Sequence, residues 1–242
     1  MRGHLRAALA ASLMTLLAVG CSQGAQSGAS AGDAGSSTAE DPNLSTVAEA
    51  VVPEVAVFAE PDGAGEPIHV LAHPTEVGAP LVFLVDSSQD EWLQVLLPVR
   101  PNGSQGWIRA SDVQLSMHTF HIDVSLSALR ITVYEGEEVI LDEPVGIGTS
   151  DTPTPGGRYY LKELLQPPDP DGAYGPFAYG LSGFSDQLTS FAGGDGVIGL
   201  HGTNDPSSIG RQVSHGCIRM SNEGITFLAG ILPLGVPVQI LP

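Results

Sequence analysis

Two short stretches gather the reactive side chains of this 242-residue chain: Leu200-His201-Gly202-Thr203 and Val213-Ser214-His215-Gly216-Cys217-Ile218-Arg219-Met220. A cysteine attacks as its thiolate, so it needs an imidazole or another positive group nearby to lower its pKa. His215 stands two residues before Cys217, and His201 sixteen before it. Residues two apart in an extended strand share a side, which predicts that His215 and Cys217 line one cleft. His201 ends an apolar run, so its strand would bring it alongside from a neighbouring position. Either imidazole can serve as the base on this evidence. Gly216 removes a side chain beside the nucleophile and lets backbone N–H groups approach a reacting carbonyl, with Ser214, Gly216, Cys217 and Gly202 as the positions around that oxyanion site. Arg219 adds a fixed charge suited to a carboxylate. Arg211 and Arg219 are two of only five basic residues from position 117 onward, which also suits a substrate with free carboxylates.

Other uses of these residues fit less well. His201, His215 and Cys217 offer three zinc ligands, but no second nearby cysteine or H-x-x-x-H spacing supports a metal site. A papain-like peptidase would start a helix at its cysteine, whereas helical spacing begins here only after Met220. No cofactor is required, because thiolate, imidazole and oxyanion donors suffice for acyl transfer.

The elements that must hold these groups are mostly strands. Gly157–Leu161 and Gly196–His201 read as strands, as do His121–Val124, Leu129–Tyr134, Val139–Leu141 and Val236–Leu241. Asn222 to Leu232 has helical spacing, with Asn222 as the expected N-cap and Pro233 and Gly235 as the stop. Residues 166–195 are rich in Pro, Gly, Asp and aromatics, and predict a flap whose Tyr174, Phe177 and Tyr179 touch substrate; the alternative is that these rings pack on the sheet. From about 51 to 115, short apolar runs broken by Pro61-Asp62-Gly63 and Pro101-Asn102-Gly103 predict a small barrel. Its Trp92-Leu93-Gln94-Val95 and Gly106-Trp107-Ile108 resemble bacterial SH3-like domains. Wall or ligand binding through Trp92 and Trp107 is one reading, and two core tryptophans is the favoured one.

His201-Gly202, followed by Ser214-His215-Gly216-Cys217-Ile218-Arg219, resembles the signature of the YkuD-type L,D-transpeptidase catalytic domain. Thr152-Pro153-Thr154-Pro155-Gly156-Gly157 is similar to that family's early turn. The resemblance spans residues 117–242 and implies a mainly β catalytic domain, a β-sandwich or barrel with one short helix after the cysteine. It further implies Cys217 as nucleophile and His201 as general base, with Ser214 to Arg219 as the surrounding motif. Some family members carry Ser where Gly202 stands, so only the backbone carbonyl remains here to orient His201. The implied reaction is attack on the peptide bond after the third residue of a peptidoglycan tetrapeptide stem, release of D-alanine, and capture of the thioester by a side-chain amine of a second stem as a 3→3 cross-link. Water as acceptor would make a carboxypeptidase, and a protein amine an anchoring transferase. An inactive wall-binding lipoprotein is the competing class. Acylation of Cys217 by carbapenems is a further expectation.

Composition sets the surroundings. Charged residues are 15%, Gly (30) and Pro (19) are plentiful, and the net charge is −18, so nothing basic enough for a phosphate backbone exists and nucleic acid is excluded as a partner. Such an acidic surface needs an anchor to stay at a membrane. Residues 1–20 read as a signal peptide, with Arg2 and Arg6 before an uncharged run too short to span a bilayer. Ala18-Val19-Gly20-Cys21 resembles a lipobox, which implies lipid on Cys21 and a chain exported to the outer face of the bacterial cytoplasmic membrane. With Cys21 so used, Cys217 has no disulfide partner, since the chain has two cysteines. Residues 21–50, small and polar, read as a flexible tether.

Overall fold

The computed structural model describes residues 43–190 and 194–242, so the predicted signal peptide, Cys21 and most of the tether lie outside the described residues. The described residues fall within one compact unit. Its first strands are β1 (Ser45–Ala50), β2 (Glu54–Val57), β3 (His69–Ala72), β4 (Val82–Gln89), β5 (Trp92–Leu96), β6 (Gln105–Arg109) and β7 (Val113–His118). Five of them form an antiparallel sheet in the order β6-β5-β4-β1-β7, while β2 and β3 pair as a hairpin joined to β6 through a Phe58–Trp107 bridge. β6 alternates cleanly, with Gly106 and Ile108 inward and their neighbours outward, so one face packs on Val55, Val57, Phe83 and Val95. Trp92 is a core residue, capped by the Arg109 guanidinium at 4.4 Å and by the edge of Phe58 at 5.4 Å, whereas Trp107 is half-buried. The tether prediction is corrected at its end: residues 45–50 are β1, in the middle of the sheet. Val47, Ala48 and Ala50 are buried there, and such small side chains hid the strand among the Ser, Ala and Thr before it.

The second half contains β8 (Phe120–Ser125), β9 (Arg130–Glu135), β10 (Glu138–Pro144), β11 (Ile147–Gly148), β12 (Gly157–Leu165), β13 (Ala178–Phe184), β14 (Val197–His201), β15 (Gln212–Ser214), β16 (Ile218–Arg219), α1 (Asn222–Ile231) and β17 (Pro237–Leu241). The fold is mainly β, with one helix after Cys217 among the described residues, as the sequence predicts. Eight strands make one sheet, β10-β9-β8-β17-β12-β13-β14-β16, and β11 pairs with β15 beside it. Most pairs are antiparallel, but β8/β17, β14/β16 and β11/β15 are parallel. α1 buries Ile225 and Leu228 in the core that the sheet builds with Ile122, Val133, Leu161 and Val238. Its N-cap is Ser221 instead of Asn222: the Ser221 Oγ accepts from the Gly224 N–H at 2.9 Å, and Glu143 holds Ser221 from the other side.

The two halves share buried surface. Val47, Val82, Leu84 and Leu96 enclose Tyr160, whose hydroxyl donates to the Val82 carbonyl at 2.9 Å. Arg100 donates to the carbonyls of Ser185 and Asp195 at 2.8 and 2.9 Å, Asn102 exchanges two hydrogen bonds with the Phe184 backbone, and Arg158 pairs with Asp86.

Candidate active site

The parallel pairing of β14 with β16 sets His201 opposite Arg219 and so places Cys217 beside Gly199, in the middle of the His201 strand. Between β15 and β16 the chain bends through His215 and Gly216, with Gly216 at φ +115. That bend overturns the prediction of an extended run from His215 to Cys217: His215 is exposed, while Ser214 is buried. Ser214 ties the bend, donating through Oγ to the Cys217 carbonyl at 2.6 Å and accepting the Gly216 N–H at 3.1 Å. Thr154 braces it from outside, donating to the Gly216 carbonyl at 2.8 Å and accepting the Gly148 N–H at 2.9 Å. Thr152 adds a bond to the Ser214 carbonyl at 3.2 Å. A side chain on Gly216 would need the left-handed region and would press on Ile198 at 3.1 Å.

The Cys217 Sγ accepts the Gly199 N–H at 3.4 Å. His201 is 3% exposed, and its Nδ1 lies 2.6 Å from the Gly202 carbonyl. A carbonyl only accepts, so Nδ1 carries the proton and Nε2 presents its lone pair. A Cβ built on Gly199 would lie 3.5 Å from the His201 Cδ2 and 3.6 Å from the Cys217 Sγ, so ring edge and sulfur converge over one bare glycine. Burial pushes the His201 pKa down to about 4, against the Gly202 hydrogen bond, and the Arg219 charge lowers it further. Burial pushes the Cys217 thiol up, opposed by the Gly199 N–H and by Arg219. Burial therefore favours the neutral form of both thiol and imidazole. Arg219 acts on both, and its buried Nε has no hydrogen-bond partner among the described residues.

The remaining predicted residues separate. Tyr174 lies over His201, ring centres 4.9 Å apart and tilted by 58°, and its pKa is raised by burial and by Cys217 while Arg219 opposes. Phe177 is half-buried against the main core, and its carbonyl accepts the Gly202 N–H at 3.3 Å. Tyr179 is corrected to a core residue: it is fully buried, with its hydroxyl donating to the Leu228 and Leu232 carbonyls at the end of α1. It belongs to β13, a strand inside the segment predicted to be a flap. Arg211 is exposed, and its carbonyl accepts from Ile147. Among the described residues no three His, Cys, Asp or Glu side chains come together as a metal-ligand set.

His201, Cys217 and Tyr174 open into a cavity of about 1030 Å³. The first half of the chain contributes Val70, Leu71 and Val77 to its lining, and β12 contributes Lys162 and Glu163. The sequence reading missed Thr154, Gly199 and Asn222, whose Oδ1 accepts the Thr203 N–H at 2.8 Å and fixes the end of the His201 strand. The Thr-Pro-Thr-Pro turn was the visible signal for Thr154.

Residues 119–240 match the model of the YkuD L,D-transpeptidase catalytic domain. The Bacillus licheniformis protein named as the L,D-transpeptidase YkuD is 39% identical over 123 residues, covering 51% of this chain and 66% of the relative. Its Bacillus subtilis counterpart is 39% identical over 121 residues, covering 50% and 65%. The chain thus spans about 65% of the length of these two relatives. Among solved structures, L,D-transpeptidase 3 from Mycobacterium tuberculosis in complex with a faropenem-derived adduct aligns with a TM-score of 0.45 at 14% identity, over 66% of this chain and 91% of that one.

Proposed function

Because the chain belongs to the YkuD L,D-transpeptidase family, over a segment that takes in both His201 and Cys217, we propose that it is a peptidoglycan L,D-transpeptidase acting through a Cys217 acyl-enzyme. The observation that carries this reading is the Gly202 carbonyl on His201 Nδ1, which leaves the Nε2 lone pair on the ring edge that shares the Gly199 surface with the thiol.

With a tetrapeptide stem in the cleft, Sγ attacks the carbonyl carbon of the third residue while the thiol proton passes to His201 Nε2. The tetrahedral oxyanion is met by the Cys217 N–H. Of the motif's other backbone donors, the Gly216 and Gly202 N–H groups are already engaged, by Ser214 and Phe177. Collapse breaks the C–N bond, His201 returns its proton to the leaving nitrogen, and D-alanine departs. A side-chain amine of a second stem then attacks the thioester, His201 removes its proton, and the thiol is restored with a 3→3 cross-link formed. Burial favours the neutral form of both groups, which suits a proton transfer made together with the attack. Export, lipid on Cys21, an SH3-like role for the first half and acylation by carbapenems belong to the same reading, and the sequence supports them.

The test is intact-mass spectrometry of the chain from residue 22 onward, incubated with tetrapeptide-stem muropeptide beside its Cys217→Ala variant. The expected result is a covalent adduct and a dimeric product, both absent from the variant. Trimmed stems without dimers would mean water is the acceptor. A folded protein giving neither adduct nor product would overturn the enzyme reading in favour of a wall-binding lipoprotein.

A further inference from the structure

We propose that Glu163, partnered by Lys162, is the specificity-determining residue that takes the ammonium group on the acyl donor's own third-residue side chain. The inference rests on the acyl-transfer reading and names how the donor is chosen.

The geometry comes from three strands in register. Glu163 of β12 pairs with Gly180 of β13, and Gly180 pairs with Gly199 of β14, the glycine beneath the Cys217 sulfur. The Glu163 carboxylate folds over Gly180: its Oε1 occupies the place a Cβ on that glycine would take. Two successive glycines thus leave bare backbone between a carboxylate at one end and the thiol at the other, and all of these residues line the same cavity. Adjacent strands lie about 4.8 Å apart, so carboxylate and sulfur are separated by roughly 5–10 Å.

Glu163 is 6% exposed, with its carboxyl group inside the cleft. Its one ionic partner among the described residues is Lys162, whose Nζ lies 3.2 Å from Oε2. Neighbours along a regular strand point to opposite faces, but the pairing of β12 with β13 slips at Lys162, and the irregularity brings the two side chains together. Lys162 thus compensates the carboxylate from one side, while Oε1 lies toward Gly180. A carboxylate sunk in a cleft is suited to a cation delivered by a ligand, because the charge is already desolvated.

The reaction itself says which cation. The cross-link is closed by an amine on the third-residue side chain of the acceptor stem, and the donor stem carries the same residue. During acylation the donor's third-residue carbonyl lies at Cys217, so its unreacted side-chain amine extends from the sulfur by several bonds, the span to Glu163. Held there as an ammonium, that amine cannot turn back on its own thioester.

The test uses the Cys217→Ala chain, which binds but cannot be acylated, and two donor tetrapeptides, one with the third-residue amine free and one with it acetylated. We expect the free-amine donor to bind about ten- to a hundred-fold more tightly by calorimetry. Adding Glu163→Gln should erase that preference. Equal affinity of Cys217→Ala for the two donors would overturn the proposal without any second variant, and so would a preference that survives Glu163→Gln. Acylation of the unmodified chain by either donor is followed separately by mass. Failure of acylation with intact amine preference would count against the transferase reading alone.

Discussion

At the scale of single residues, His201 ties stability to pH. Folding takes it from an ordinary pKa of 6.5 to about 4, so between those values the unfolded chain binds more protons than the folded one. Its contribution is complete above about pH 6.5 and is lost as the pH falls toward 4, by up to about 3 kcal/mol across the window. Urea midpoints at pH 7.5 and 5 should differ in the unmodified chain, and His201→Gln should reduce the difference. The same substitution should slow acylation by about 10²–10⁴-fold, since it removes the acceptor of the thiol proton. Cys217 responds in the opposite sense. Its raised thiol predicts an iodoacetamide rate that climbs through the alkaline range, and Arg219→Gln, which removes a charge that favours the thiolate, should move the profile to higher pH. A profile that Arg219→Gln leaves in place would show that the guanidinium has no electrostatic hold on the sulfur.

At the scale of elements, the bend between β15 and β16 positions Cys217, and Ser214 holds that bend from within. Ser214→Ala removes the partner of both the Gly216 N–H and the Cys217 carbonyl. We expect a loss of about 1–3 kcal/mol in chemical denaturation, with slower acylation at unchanged thiol content. Gly199→Ala should behave differently. Its Cβ would meet the His201 Cδ2, the Cys217 Sγ and the Tyr179 carbonyl at ordinary contact distances of 3.5 to 3.6 Å, so the melting temperature should hold while donor turnover falls. A stable, fully active Gly199→Ala chain would mean that substrate does not lie over this glycine. These elements also show what a sequence can and cannot reveal. The meeting of Cys217 and His201 was legible because both sit in two short motifs, and Ile225 and Leu228 were legible because helical spacing is local. Tyr179 was misplaced because the Pro- and Gly-rich segment before it concealed a strand. His215 was misplaced because a single left-handed glycine reverses the facing of neighbours. Glu163 escaped notice because its position in the cleft depends on register across three strands, which no local pattern carries.

At the scale of the whole molecule, the first half is a wall of the cleft as well as a neighbour. Tyr160→Phe should cost about 1–2 kcal/mol by leaving the Val82 carbonyl without its donor. Arg100→Ala should loosen the segment around Ser185 and Asp195, visible as faster amide exchange there and not in β8 or β9. Both halves should melt in one transition, because Tyr160 belongs to the second half and is enclosed by residues of the first. The position of β17 has a consequence for biosynthesis. It lies between β8 and β12 in the middle of the large sheet, parallel to β8, from which it is separated by more than a hundred residues of chain. A chain emerging from the ribosome therefore cannot close this sheet until β17 has followed, after the cysteine itself has come through. The nascent thiol is for that interval an ordinary unprotected one, open to oxidation and to helpers that bind extended strands. The surroundings of Cys217 are completed in one late step, when the strand that fills the gap arrives.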